Sequence, residues 1–249
     1  YYLVFGSFGG IIWSSVPSAA DFIRCIDIKG CNMKKILVAA SLTTLFPSLA
    51  LAHHPLAGMP METFSHGLLS GLGHPILGFD HLFFVALVGI AAVYTAHRFW
   101  TPFAFIGAML LGCLATSFGF TLPGAEIVIG FSLLILGYLV LSGRALSMPV
   151  ALAAFAGFGL FHGGAFGGSI ATQEAGVGGA VLLGYLLGLG IIQYLISAAS
   201  GWIALNVWKA TEAAAIQTRI AGAVVAGIGL FLSLENAEGI IFDAMGWTS

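Results

Sequence analysis

Along the chain, long apolar windows alternate with short polar breaks, and the windows cover residues 76–96, 102–120, 125–142, 148–168, 177–207 and 220–234. A bilayer core about 30 Å thick takes about 20 apolar residues per helix. The pattern therefore predicts an all-α, polytopic membrane protein of about six transmembrane helices. The fifth window is long enough to tilt or to run into the interface, and Trp202 and Trp208 near its end suit an aromatic belt. Upstream, Met33-Lys34-Lys35 precedes an apolar run to Leu51 that closes on Ala50-Leu51-Ala52. That is the charged, apolar and small-residue order of a cleavable signal peptide. The expected organisation is an upstream extension over 1–32, a signal peptide over 33–52 and a single six-helix membrane domain over 53–249, whose new N-terminus is His53-His54.

Composition agrees with a bilayer as the solvent: 59% of the 249 residues are hydrophobic and 7% are charged, against about 25% charged in a soluble domain. Lys and Arg number eight against ten Asp and Glu, with no basic run longer than two, so no phosphate-binding footprint exists and nucleic acid is not an expected partner. Cys25, Cys31 and Cys113 form no C-x-x-C pair, which supports neither a disulfide framework nor a thiolate metal site.

Cleavage before residue 53 would leave that end outside, so loops after windows one, three and five should face the cytoplasm. Arg98, Arg144, and Lys209 with Arg219 fall there, while the loops after windows two and four carry no Lys or Arg. Basic residues collect on the inside of membrane proteins, and the expected location is the bacterial inner membrane with the mature N-terminus extracytoplasmic. Gly159, Gly163 and Gly167, Gly164 with Gly168, and Gly184 with Gly188 stand at the small-xxx-small spacing that lets helices approach closely in lipid.

Ionisable groups inside spans are expensive and mark a pathway or a site by default. They cluster here. His74 and Pro75 open the first window with Asp80 and His81 following, Glu126 opens the third, His162 lies in the outer half of the fourth, and Gln173 and Glu174 follow it. Pro75 suits a first helical turn, which would put His74 near the N-cap and Asp80 and His81 about two turns inward. On one straight helix His74 and His81 share a face about 10 Å apart, so two successive stations and one shared site both fit. Asp80 would bind metal directly or hold an imidazole in its ligating tautomer. Imidazole and carboxylate without thiolate favour a borderline divalent ion, Ni²⁺, Co²⁺ or Zn²⁺, over Cu(I). His53, His54 and Glu174 are candidate capture residues at the outer surface. Thr116, Ser117, Ser132, Tyr138 and Gln193 are the few polar groups expected in the inner halves of the spans.

The stretch H-P-x-x-G-x-D-H, formed by His74, Pro75, Gly78, Asp80 and His81 and continued by Val88-Gly89, resembles the HupE/UreJ family of membrane proteins. So do Glu126 at the start of the third span and Phe161-His162-Gly163-x-Ala165-x-Gly167 in the fourth. Members are associated with hydrogenase and urease gene clusters and are regarded as nickel or cobalt permeases. The resemblance implies a metal path through His74, Asp80, His81, His162 and Glu126, no permanently bound cofactor, and hydrogenase or urease maturation proteins as partners. Phe166 stands where members commonly carry a second His, and Gln193 where they carry a His in the fifth span.

Three readings compete. A secondary transporter or channel admits the metal, and no nucleotide-binding motif is present to power it. A membrane accessory protein would hold and present the ion without an inward path. An intramembrane zinc hydrolase would need two or three His around one ion and a carboxylate beside its bound water.

Overall fold

The computed structural model describes residues 61–171 and 178–247. The signal segment, His53, His54, Gln173 and Glu174 lie outside the described residues. Within them the chain is all-helical: α1 (Phe64–Leu77), α2 (Phe79–Ala92), α3 (Pro102–Ser117), α4 (Ala125–Leu141), α5 (Met148–Ala171), α6 (Gly179–Trp202), continued by a π-helical turn over Ile203–Val207, and α7 (Ile216–Met245). Three stretches are long and apolar enough to cross a membrane: Met148–Gly168, Gly179–Val207 and Ile216–Met245. α1 and α2 pass the same test together as one broken element, bent by 84°. α3 and α4 are shorter apolar helices of 16 and 17 residues, about 24 and 26 Å long.

The first window holds the main departure from expectation. Helix does not begin at Pro75. Thr63 caps α1 by accepting the His66 N–H at 3.2 Å, and α1 then runs through Pro75 to Leu77. The break falls at Gly78, which is extended (φ −89°, ψ 99°) and serves at once as the end of α1 and the start of α2. Proline removes a backbone donor and weakens the turn it sits in; at Pro75 that turn is the last of a helix already under way. His74 and His81 therefore sit on two differently directed helices.

Three helix pairs build the bundle, and glycine lines each contact. In α3 and α5, a Cβ on Gly112 would overlap the Leu160 carbonyl, and one on Gly163 the Met109 carbonyl. In α1 and α6, Gly67 meets the Val181 carbonyl, Gly71 that of Tyr185, Gly184 that of Phe64 and Gly188 that of Leu68. In α4 and α7, Gly137 meets Ala226 and Gly229 meets Leu134. With no hydrophobic force between helix and lipid, such backbone proximity supplies the dispersion contacts that hold helices together. The expected packing roles of Gly159, Gly163, Gly167, Gly184 and Gly188 are met. The pairing of Gly164 with Gly168 is not: Gly164 faces Leu122, and nothing described stands within 4 Å of a Cβ on Gly168.

α2 occupies the centre. Phe84, Val85, Leu87 and Val88 are buried and join Phe105, Met109, Leu133, Leu136, Phe155 and Leu189 in one apolar core. The connections on one side of the bundle are tied together. Tyr94 donates its hydroxyl to the Ala210 carbonyl at 2.7 Å, and Arg219 Nε donates to the Leu141 carbonyl at 3.0 Å. Thr101 reaches Met148 Sδ at 3.7 Å. Arg98, Arg144, Lys209 and Arg219 all belong to this end. Asp80 and Glu126 start their helices at the other.

Candidate metal-handling site

Asp80 and His81 open α2 directly after the Gly78 break, and the break shapes their surroundings. A Cβ at position 78 would meet His81 Cδ2 at 3.0 Å and Asp80 Oδ1 at 3.4 Å, so glycine leaves room for both side chains to fold over the junction. Asp80 Oδ2 stands 3.6 Å from His81 Nε2. On the other side of the ring, His81 Nδ1 lies 2.7 Å from His162 Nδ1 of α5, with both imidazoles buried.

Hydrogen-bond bookkeeping orients the pair. His162 Nε2 is 2.8 Å from Ser132 Oγ on α4, while Ser132 donates its one hydroxyl proton to the Ile129 carbonyl at 2.7 Å. Ser132 must then accept from His162, which puts the His162 proton on Nε2 and leaves Nδ1 as an acceptor. His81 consequently donates from Nδ1. His81 Nε2, on the far side of the ring, faces the Asp80 carboxylate, so an imidazole nitrogen and a carboxylate stand together at the start of α2. Glu126, on the first turn of α4, lies within electrostatic reach of Asp80, which brings a second carboxyl group near the same place.

Aromatic rings enclose the pair. His162 packs against Phe84 with ring centroids 4.4 Å apart and against Phe105 at 5.9 Å. Phe166 is fully buried and contacts His81 at 4.2 Å and, edge-on, His74 at 4.9 Å. His74 Nδ1 is 2.9 Å from the Tyr185 hydroxyl of α6.

The structure thus brings Asp80, His81 and His162 together, sets Glu126 nearby and holds His74 across the Phe166 ring. Among the described residues no three His, Cys, Asp or Glu side chains are arranged to hold one ion. Two site residues went unassigned in the sequence. Ser132, expected in an inner half-span, bonds the buried imidazole, and Tyr185 carried no signal at all. Thr116 is also displaced from expectation: it donates to the Phe120 carbonyl at 3.2 Å, in the loop that leads to α4 and Glu126.

A family profile described as HupE / UreJ protein matches residues 41–232. The chain is 31% identical over 203 residues to Protein HupE of Rhizobium leguminosarum bv. viciae, covering 80% of this chain and 98% of that protein. The chain belongs to the HupE/UreJ family. No solved structure matches it. The motif that carried the resemblance to HupE/UreJ proteins now has a shape: its Gly78 is the helix break, and its Asp80 and His81 are the first polar side chains beyond it. Phe166, at the position where the resemblance implies a histidine, lies between His74 and His81 in the same cluster.

Proposed function

We propose that this protein is a six-span inner-membrane permease that admits a divalent transition metal, Ni²⁺ or Co²⁺, from the extracytoplasmic side, with Asp80 and His81 as its entrance and His162, Glu126 and His74 lining the route. The observation that carries the reading is the buried His81–His162 pair beside Asp80 at a break between two helices. Discontinuous helices inside a bundle are where transporters build ion sites, because backbone and side-chain dipoles at the broken ends replace water around the ion. Two carboxyl groups near the entrance, Asp80 and Glu126, are oxygen donors that a dication would draw into the charged form. Counting α1 with α2 as one broken span yields six crossings, and the basic residues at one end of the bundle suit a cytoplasmic face.

Among the described residues fewer than three such side chains converge on one point, which favours passage over storage. Conduction requires binding strong enough to strip water yet weak enough to release the ion, whereas an accessory protein that holds its metal needs a closed set of ligands. A catalytic zinc commonly takes three protein ligands, and no such set converges among the described residues. Hydrogenase or urease maturation proteins are the downstream partners that the family suggests for the delivered ion.

The test is accumulation of radioactive nickel or cobalt in cells without other importers. Asp80→Asn keeps the size and hydrogen bonding of the side chain, and His81→Ala removes an imidazole. Each lowers uptake at least about tenfold, the scale on which even a supporting ligand matters, with the protein present at normal abundance. His97→Ala, at the basic end, changes nothing. Full uptake by both entrance variants would falsify the assignment.

A further inference from the structure

α3 pairs with α5 and α6 with α1, so α3 and α6 meet from two different seams, and an apolar groove of about 570 Å³ runs between them. Pockets that hold small molecules measure about 300–1,000 Å³. Leu183, Leu187, Ile191 and Leu195 line it at four-residue spacing and are exposed. Along α6 that stretch is about 18 Å long, close to the depth of one leaflet, about 15 Å. Two glycines open the groove. Gly107 on α3 has no described atom within 4 Å of a Cβ, and Gly190 on α6 meets only Leu110 Cδ1 at 3.5 Å and Ile106 Cγ2 at 3.9 Å. The seam glycines touch a facing backbone instead. Glycine weakens a helix relative to alanine, and Gly107 gains no helix contact in exchange; what it leaves is space.

The groove leads toward the basic end of the bundle. Phe103 and Tyr194 stack there with ring centroids 4.9 Å apart, and Tyr194 also lines a second apolar cavity of about 120 Å³. Arg98 stands in the wall of that cavity with Trp202 and Asn206. The Arg98 guanidinium lies over the Phe99 ring at 4.7 Å and makes no ion pair among the described residues. An apolar trough that ends at an unneutralised cation and two neutral N–H donors, the Trp202 indole and the Asn206 amide, is complementary to an amphiphile with an anionic head.

We propose that the α3–α6 groove binds an anionic phospholipid of the cytoplasmic leaflet, with an acyl chain along the groove and the phosphate at Arg98; the proposal rests on the membrane orientation given above and not on metal transport. Cytoplasmic leaflets carry anionic lipids, and basic pockets between helices on that side take their head groups. A guanidinium offers a planar fork of N–H donors that matches phosphate oxygens. A zwitterionic lipid has the same chains but carries a cation of its own, so Arg98 distinguishes the two heads. A two-fold contact between copies through this face would bring the two Arg98 side chains to one level beside each other, and that like-charge approach favours lipid over a second copy.

The full chain in detergent is titrated with phosphatidylglycerol or phosphatidylcholine, and binding is read from the lipid-dependent rise in melting temperature. Phosphatidylglycerol binds about fivefold more tightly than phosphatidylcholine, the scale of one basic residue at an anionic surface, and Arg98→Gln removes that preference without changing phosphatidylcholine binding. Gly107→Leu fills the groove and abolishes stabilisation by either lipid. Gly157→Leu, on α5 and likewise with no described atom within 4 Å of a Cβ, affects neither. Equal affinity for the two lipids, or a preference that survives Arg98→Gln, overturns the site. A chain that is dimeric in phosphatidylglycerol nanodiscs and made monomeric by Gly107→Leu would assign the groove to a second copy, and the lipid assignment falls. Should Gly107→Leu not accumulate, Arg98→Gln at the exposed mouth still decides. An active phosphatase fusion after Arg98, or absent nickel and cobalt uptake, would instead sink the reading above, while the head-group preference in detergent is measured independently of both.

Discussion

Ser132→Ala tests the proton arrangement on which the site depends. Ser132 is fully buried, and its oxygen receives the His162 Nε2 proton at 2.8 Å. Alanine strands that N–H among apolar side chains, which costs about 1–3 kcal/mol. One escape exists: His162 moves its proton to Nδ1 and donates to His81. That forces the His81 proton onto Nε2, the nitrogen facing Asp80, and blocks the lone pair an ion would use. The penalty then moves from stability to uptake, where about 1–3 kcal/mol corresponds to about 5- to 150-fold. Thermal unfolding in detergent reads the first effect and radioactive nickel uptake the second. In a His162→Phe background, whose ring suits the aromatic surroundings, Ser132→Ala has no N–H to strand, so a double-mutant cycle shows a coupling of about the same 1–3 kcal/mol. Unchanged stability and uptake in the single variant, or strictly additive losses in the cycle, would refute the relay.

Tyr185→Phe removes the hydroxyl 2.9 Å from His74 Nδ1 and lowers uptake about two- to tenfold; equal uptake would leave His74 outside the path. Gly163→Ala drives a Cβ into the Met109 carbonyl and destabilises the protein by about 1–3 kcal/mol in a detergent melt, whereas Gly168→Ala, with no described atom within 4 Å of its Cβ, is neutral or mildly stabilising. Alkaline phosphatase fused after Gly124 is active, and fusions after Arg98, Arg144 or Lys209 are inactive; activity in any of these three overturns the proposed orientation.

Helix content and the ionisable cluster were legible because both follow from local sequence. Apolar length marks α3 to α7, and an Asp-His pair at the start of a span stands out against 7% charged residues. α1 was hidden for a physical reason. Its 14 residues include Ser70, His66 and three glycines, too short and too polar for a span, and its helical state is supported by Gly67 and Gly71 lying against α6. Pro75 invited a helix start, since proline at a first turn and proline in a last turn look alike until the preceding residues are known to be helical. Glycine spacing showed that helices would touch but not which ones. Position 166 was visible as a departure from the family pattern, while its place between His74 and His81 is purely tertiary.

The composition of the site explains why no single segment encodes it. His74 and Tyr185 come from the α1–α6 pair, His162 and Phe166 from α5 of the α3–α5 pair, and Ser132 and Glu126 from α4 of the α4–α7 pair, while α2 contributes Asp80 and His81 at the centre. Each glycine-lined pair thus presents one wall to the central helix, and the 2.7 Å contact between His81 and His162 exists only when those walls are assembled. Rigid helices hold polar groups more tightly than loops do, which suits the entrance proposed above, where part of an ion's water shell would be replaced. A defect in the α3–α5 seam, such as Gly163→Ala, therefore reaches the chemistry through the position of His162, and it lowers uptake per folded molecule as well as abundance. Uptake that falls only in proportion to abundance would show that the seam supports the fold without setting the site.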